Sequence, residues 1–485
     1  MPIEAKEGLM SSYEPSPWSL PRFRLVLSSF MQHDGLPFAD VLSEERIQQA
    51  FDDARATFGR DDDAVYTPAV TLWAFLSQVL FKGEMRSCLA AVARVVVLCV
   101  SLGQKACSYN TGAYCRARAK LPVAVIQRLA LDVAFEAEHK LPKVWLWKGR
   151  HVHLVDGTTV SMPDTDPNQA KYPQPDAQKP GLGFPLARLV VLFSLATAML
   201  QGMAMGPYKG KETGETALFR ELLYRLRCGD IVLADRYYCS YFMIALLREI
   251  GVDVVMRQHH LRKVDFQRGR QLGRRDHVVS WTRPERPDWM DQETYERMPA
   301  SLEMREVYVQ VAEPGFRVES LVVATTLTDA AEYTKEDIGE LYHKRWLAEL
   351  DIRAVKITLG IDVLRCKSPE MVHREIWIAL VAYNLIRLSM LQAALTSASA
   401  VSPRALSFTA AMQKIGAAWA TLAVCVATTT VVLIEVHLED LAKQTIGDRP
   451  GRVEPRAVKR RPKPHKLLKK PRREARADLY AGVVG

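Results

Sequence analysis

Asp230-Ile231-Val232-Leu233-Ala234-Asp235 is a short apolar run closed at each end by an acid. Four consecutive apolar residues in this setting read as a strand buried on both faces, as in an α/β sheet. Upstream, His151-Val152-His153-Leu154-Val155-Asp156 is a second short, β-branched run, predicted to end at Asp156 before Gly157. His151 and His153 share a face of it; they are candidate metal ligands, although paired strand histidines are more often packing or surface residues. After a polar loop over 163–185, residues 187–208 read as two strands joined near Gln201-Gly202. Helices are expected over 216–227 and 240–250, and another strand over 252–256. Residues 257–329 are too long for a structureless loop and read as an inserted antiparallel sheet, with strands near 305–311 and 321–326.

Helices flank this pattern. Residues 20–140 read as helical, with Ser43 as an N-cap and an apolar helix over 70–81. The turn at Ser108-Tyr109-Asn110 leads into a basic helix that could read a DNA groove or be an ordinary surface helix. Thr334 and Asp337 form a capping-box pattern, and helices continue to about Ser397. The expected organisation is a helical N-terminal region over 1–145 and an α/β core over 146–372, with its insertion sheet at about 258–330. A helical region over 373–448 and a basic flexible tail over 449–485 follow.

The helix after the capping box carries the chemistry. Tyr342, Arg345, Glu349 and Lys356 are spaced three, four and seven residues apart, and a helix places them within a sector of about 60°. Trp346, Leu350 and Ile357 form an apolar stripe beside them, expected to dock the helix on the core. Read alone, the polar face is a solvated surface with one Arg345–Glu349 pair, worth only a few tenths of a kcal/mol. Asp351 lies about 200° round the helix from Glu349, so its substitution is expected to be far milder.

Bulk composition narrows the class. The 485 residues, 48% hydrophobic and 25% charged, suffice for a large core and two or three domains. No secretion signal is apparent, and the eight cysteines form no C-x-x-C pair, so they read as reduced thiols of a cytoplasmic protein. Two apolar runs, 89–102 and 417–434, are read as core elements because a membrane span needs about 20 apolar residues. The net charge is +10, yet 449–476 holds thirteen Lys or Arg against two acids, leaving the rest close to neutral. Its five prolines argue against a regular helix there. Such a tail suits counterion-releasing contact with nucleic acid, or simply solubilises the chain.

Asp156, Asp235 and Glu349 can be combined. Acids at the ends of parallel strands project to one sheet edge, where ligands bind in open α/β sheets. Three carboxylates around one point repel unless hard cations such as Mg²⁺ neutralise them. A pair of such ions suits phosphodiester chemistry.

At this point the chain resembles the bacterial insertion-sequence transposases of the DDE class, in the branch with a YREK signature (insertion sequence family four). Tyr342, Arg345, Glu349 and Lys356 match its spacing; Asp156-Gly157-Thr158-Thr159, Pro163-Asp164-Thr165 and Gly181-Leu182-Gly183-Phe184-Pro185 match its first-aspartate block. Gly229 to Arg236 matches the second, and Asp276-His277-Val278-Val279-Ser280-Trp281 matches the insertion block. The resemblance spans roughly residues 35–475. It implies an RNase H-like core with an inserted antiparallel sheet, and Asp156, Asp235 and Glu349 as ligands of two Mg²⁺ ions, with Mn²⁺ able to substitute. It further implies cut-and-paste transposition through a DNA hairpin by a homodimer acting on transposon-end and target DNA. Trp281, ahead of Tyr308, would stack a flipped base; Tyr342, Arg345 and Lys356 would hold phosphates. A cytoplasmic, nucleoid-bound protein is expected. A metal-dependent nuclease of the same fold, or an inactive DNA-binding descendant, are the alternatives; a membrane protein is disfavoured.

Overall fold

The computed structural model describes residues 22–481 apart from 57, 60, 62, 63, 311–319, 398–400 and 448–468. Most of the basic tail therefore lies outside the described residues. The N-terminal helices are α1 (Arg24–Ser29), α2 (Glu44–Asp53), α3 (Pro68–Leu80), α4 (Cys88–Ser101), α5 (Thr111–Lys120) and α6 (Val123–His139). Ser43, Thr67 and Ser87 cap α2, α3 and α4 by accepting the backbone N–H three residues on, which satisfies donors the helix itself leaves unpaired.

The sheet has nine strands. They are β1 (Val152–Ser161), β2 (Leu186–Ser194), β3 (Leu200–Pro207), β4 (Ile231–Ala234) and β5 (Asp253–Arg257), then β6 (Arg270–Gly273), β7 (Asp276–Thr282), β8 (Ser301–Gln310) and β9 (Ser320–Thr325). Their order is β3-β2-β1-β4-β5-β9-β8-β7-β6. The first three run antiparallel, while β4 and β5 run parallel to β1. This 3-2-1-4-5 sheet is the RNase H-like core, and helices α7 (Asp166–Lys171), α8 (Glu215–Arg220) and α9 (Tyr241–Glu249) lie in its connections. The inserted sheet is antiparallel, as expected, but it is not a separate layer. β9 pairs with β5, so the insertion continues the core sheet outward. It carries α10 (Gln292–Arg297) between β7 and β8. The buried Arg305 guanidinium grips both Asp276 oxygens, at 2.8 and 2.6 Å, and donates to the Tyr333 carbonyl. That fork fixes two strands of the insertion to the approach of α11 (Lys335–His343).

Two boundaries differ from the sequence reading. The β2–β3 turn lies at 195–199, not at Gln201-Gly202, with Ala198 at φ 61°. β1 does not stop at Asp156 but runs through Gly157 to Ser161, because β2 goes on pairing with it to Ser161 after β4 has ended at Ala234.

The C-terminal helices are α12 (Leu347–Arg353), α13 (Pro369–Thr396), α14 (Phe408–Val424) and α15 (Ala427–Ala442). α13 is long and apolar enough to cross a membrane, yet 94% of its most apolar window is buried in the fold. Asn384 at its middle donates to the Ala130 and Leu200 carbonyls and accepts from Leu200 N–H, so a buried amide ties α13 to α6 and β3 with its polar groups satisfied. N- and C-terminal helices share one core: Trp419 of α14 stacks on Trp73 of α3 at 5.4 Å and meets Phe30 edge-on at 5.2 Å. The 417–434 run is split between α14 and α15. Finally, α16 (Arg472–Tyr480) is helical where helix was not expected, because Pro471 precedes its first turn and interrupts nothing.

Candidate active site

Asp156 and Asp235 come together through strand register. Leu154 pairs with Leu233 in the parallel β1–β4 ladder. Two places further along, Asp156 stands across from Asp235, which follows the last residue of β4. Asp156 Oδ1 accepts the Gly157 N–H at 2.8 Å, and Asp235 Oδ1 accepts the Tyr237 N–H at 2.6 Å. Each carboxylate is thus held by a backbone N–H near it in sequence, Gly157 within β1 and Tyr237 just beyond β4.

Glu349 arrives from the opposite side. The capping box is present: Thr334 accepts Asp337 N–H and Asp337 accepts Thr334 N–H. The segment that follows is helical but irregular. A 3₁₀ turn at Lys344–Trp346 separates α11 from α12, and a π turn at Ala354–Thr358 follows. Ala348, Asp351, Ala354 and Val355 are its buried residues, and α12 packs on β1. The expected docking stripe of Trp346, Leu350 and Ile357 is instead exposed, because the face turned inward is the one carrying Ala348, Asp351, Ala354 and Val355, with Asp351 paired to Arg387 and Arg404. Glu349 accepts from Arg345 at 2.9 Å. Lys356, in the π turn, donates to Thr158 Oγ1 at 3.0 Å, a position that π-bulges often occupy at functional sites. Tyr342 is buried nearby, and burial pushes its phenol above its usual value against the pull of Arg345.

The three acids share one electrostatic field. Burial pushes the Asp156 carboxyl up to about 6, opposed by the Gly157 N–H and the Arg345 charge; Asp235 and Glu349 push it the same way as burial. All-oxygen donors suit a hard divalent cation. Among the described residues, however, no three His, Cys, Asp or Glu side chains are close enough to enclose an ion, and Glu349 is paired with Arg345.

Trp281 sits on β7 in the insertion, buried, with its indole N–H donating to Glu306 at 2.9 Å. Glu306 also pairs with His277 and accepts from Gln258. The Arg262 guanidinium lies over the indole, 3.8 Å from its centroid. Tyr308 carries Arg275 in the same way, at 4.6 Å. His151 and His153 are not brought to one ligand point: His151 pairs with Glu138 at 3.1 Å and His153 with buried Asp230 at 3.0 Å.

The sequence reading missed a fourth carboxylate. Glu215 opens α8, one residue before the helix start expected from the sequence. The Tyr238 hydroxyl donates to it at 3.3 Å. Burial raises its pKa, with Arg188 and Tyr238 opposing and Asp235 adding. The available signal was the missing side chain at Gly157, whose φ is not positive and which must therefore be glycine for space.

Residues 147–385 match the family described as the transposase DDE domain. The chain is 30% identical over 293 residues to the transposase InsG for insertion sequence element IS4 of Escherichia coli K12, covering 56% of this chain and 62% of that protein. It therefore spans rather less than two thirds of that relative's length. The piggyBac transposase in its synaptic complex with hairpin DNA aligns over 90% of this chain and 87% of its own, at 10% identity and a TM-score of 0.41.

Proposed function

We propose, starting from the match of residues 147–385 to the transposase DDE domain family, that this chain is a DNA transposase that excises and integrates an insertion sequence by cut-and-paste. What supports the reading is that Asp156 stands across from Asp235 in the register of two parallel strands, while Glu349 lies on a helix packed on β1 and pairs with Arg345. Transposases of this class use divalent metal ions, and the ligands here would be Asp156, Asp235 and Glu349. Two Mg²⁺ ions, replaceable by Mn²⁺, would supply an activated nucleophile and neutralise the leaving 3′-oxygen. Arg345 is placed to exchange Glu349 for a DNA phosphate, a charge-assisted contact stronger than its present half-exposed pair. Tyr342 lies beside Arg345 and Lys356 donates to Thr158, two residues from Asp156; both would hold the DNA backbone near the scissile bond.

Trp281 is proposed to stack a base flipped during hairpin formation, which requires Arg262 to leave the indole face. The partners are transposon-end duplex and target DNA, engaged by a homodimer. The assignment of 1–145 to end binding, 373–448 to dimerisation and the 449–485 tail to DNA contact belongs to the same proposal.

The test is an assay on linear DNA carrying the element's terminal repeats and a separate target. With Mg²⁺, the protein should release the element and join its 3′ ends to the target. DNA that is cut but never joined would make the protein a nuclease of the same fold.

A further inference from the structure

Glu215 is absorbed by no part of the reading above, and its surroundings connect the two halves of the catalytic edge. A side chain added at Gly157 would meet the Glu215 carboxyl carbon at 2.2 Å and its oxygens at 2.5 and 2.6 Å. The carboxylate therefore lies directly against the Gly157 Cα, one residue from Asp156. On its other side it accepts the Tyr238 hydroxyl. Tyr238 is fully buried, three residues after Asp235, and its N–H donates to the Asp235 carbonyl at 3.3 Å. Phe219, one helical turn beyond Glu215 on α8, meets the Tyr238 ring edge-on at 5.6 Å. α8 thus holds Tyr238 by a ring contact and a hydrogen bond while pressing its acid onto β1, and it is itself packed on β2 and β3.

We propose that Glu215 is a positioning residue of the catalytic centre: clamped by Tyr238, its carboxylate bears on Gly157 and fixes the spacing between Asp156 and Asp235. This rests on the transposase reading, which makes those two aspartates metal ligands. Groups that orient ligands are worth about 10–100-fold in metal affinity. A smaller side chain at 215 removes the contact against Gly157 and the acceptor for Tyr238, so the two aspartates lose a shared support, while glutamine keeps both.

The experiment measures Mn²⁺ binding to the DNA-free full chain, the Mg²⁺ concentration giving half-maximal cleavage of terminal-repeat DNA, and the metal-free melting temperature. It compares the wild type with Glu215→Ala, Glu215→Gln, Tyr238→Phe and an Asp156→Asn control. Glu215→Ala should weaken Mn²⁺ binding and raise the Mg²⁺ requirement by about tenfold, with an unchanged melting temperature. Glu215→Gln should stay within about threefold of the wild type, and Tyr238→Phe should fall between. Three results overturn the inference. Glu215→Ala could bind Mn²⁺ as the wild type does. Glu215→Gln could be as weak as Glu215→Ala, which would assign the effect to charge. The losses could follow a falling melting temperature, which would assign them to folding. A wild type that binds no Mn²⁺ overturns this inference together with the transposase reading; variants that match a binding wild type overturn this inference alone.

Discussion

Asp351 illustrates how differently one residue reads from sequence and from packing. By helical angle it faces away from Glu349, and the sequence reading treats it as a mild position. In the fold it is 2% exposed and binds two guanidinium groups, Arg387 at 3.2 Å and Arg404 at 2.8 Å. Arg404 also donates to the Ser194 carbonyl at the end of β2. Facing away from the site means facing into the core, where one carboxylate compensates two cations. Asp351→Ala should therefore destabilise the protein by about 3–5 kcal/mol, because it leaves buried positive charge unpaired. Chemical denaturation of the purified variant measures this. A change below about 1 kcal/mol would mean that the two arginines find solvent or other partners.

At the scale of elements, the sheet was largely legible and the irregular helix was not. The buried run before Asp235 and the capping box at Thr334 are signals that local chemistry makes strong, and both elements formed. The breaks at Lys344 and Ala354 carry no Gly or Pro to announce them, so no local signal marks them, and only the assembled fold shows where they fall. For the same reason Glu215 escaped notice, since only the assembled sheet places it against Gly157. The insertion posed a third problem: its strands were recognisable, but the cover over Trp281 was not. Arg262 stands 3.8 Å over the indole, where a base would stack. If Trp281 takes the flipped base, Trp281→Ala should nick the first strand normally and form hairpins slowly, since stacking is worth about 1–3 kcal/mol per base. Arg262→Ala, by uncovering the ring, should not slow hairpin formation. Gel assays of nicked and hairpin products separate the steps. Equal loss of both steps in Trp281→Ala would assign the indole to packing with Glu306.

On the scale of the whole molecule, charge is concentrated at the C-terminal end, in the thirteen cations of 449–476. The described part of that segment rests on the start of α7, with Arg472 near Asp164 at 3.4 Å and Arg473 on Asp166 at 3.0 Å. These are exposed or half-exposed pairs, worth little in water, and DNA phosphates can replace the aspartates. Truncation after Asp448 should flatten the dependence of DNA affinity on salt while sparing preference for the terminal repeats. An unchanged salt slope in binding titrations would mean the tail docks on the protein only.

The central claim is that Asp156, Asp235 and Glu349 form one metal-dependent cutting centre. Its most direct test is cleavage of terminal-repeat DNA in Mg²⁺ by Asp156→Asn, Asp235→Asn and Glu349→Gln, with end binding followed in parallel. Each variant should bind the ends nearly as the wild type does and cleave at least a thousandfold more slowly, a loss of roughly 4 kcal/mol in transition-state stabilisation. Cleavage at the wild-type rate by any one of the three would contradict the account.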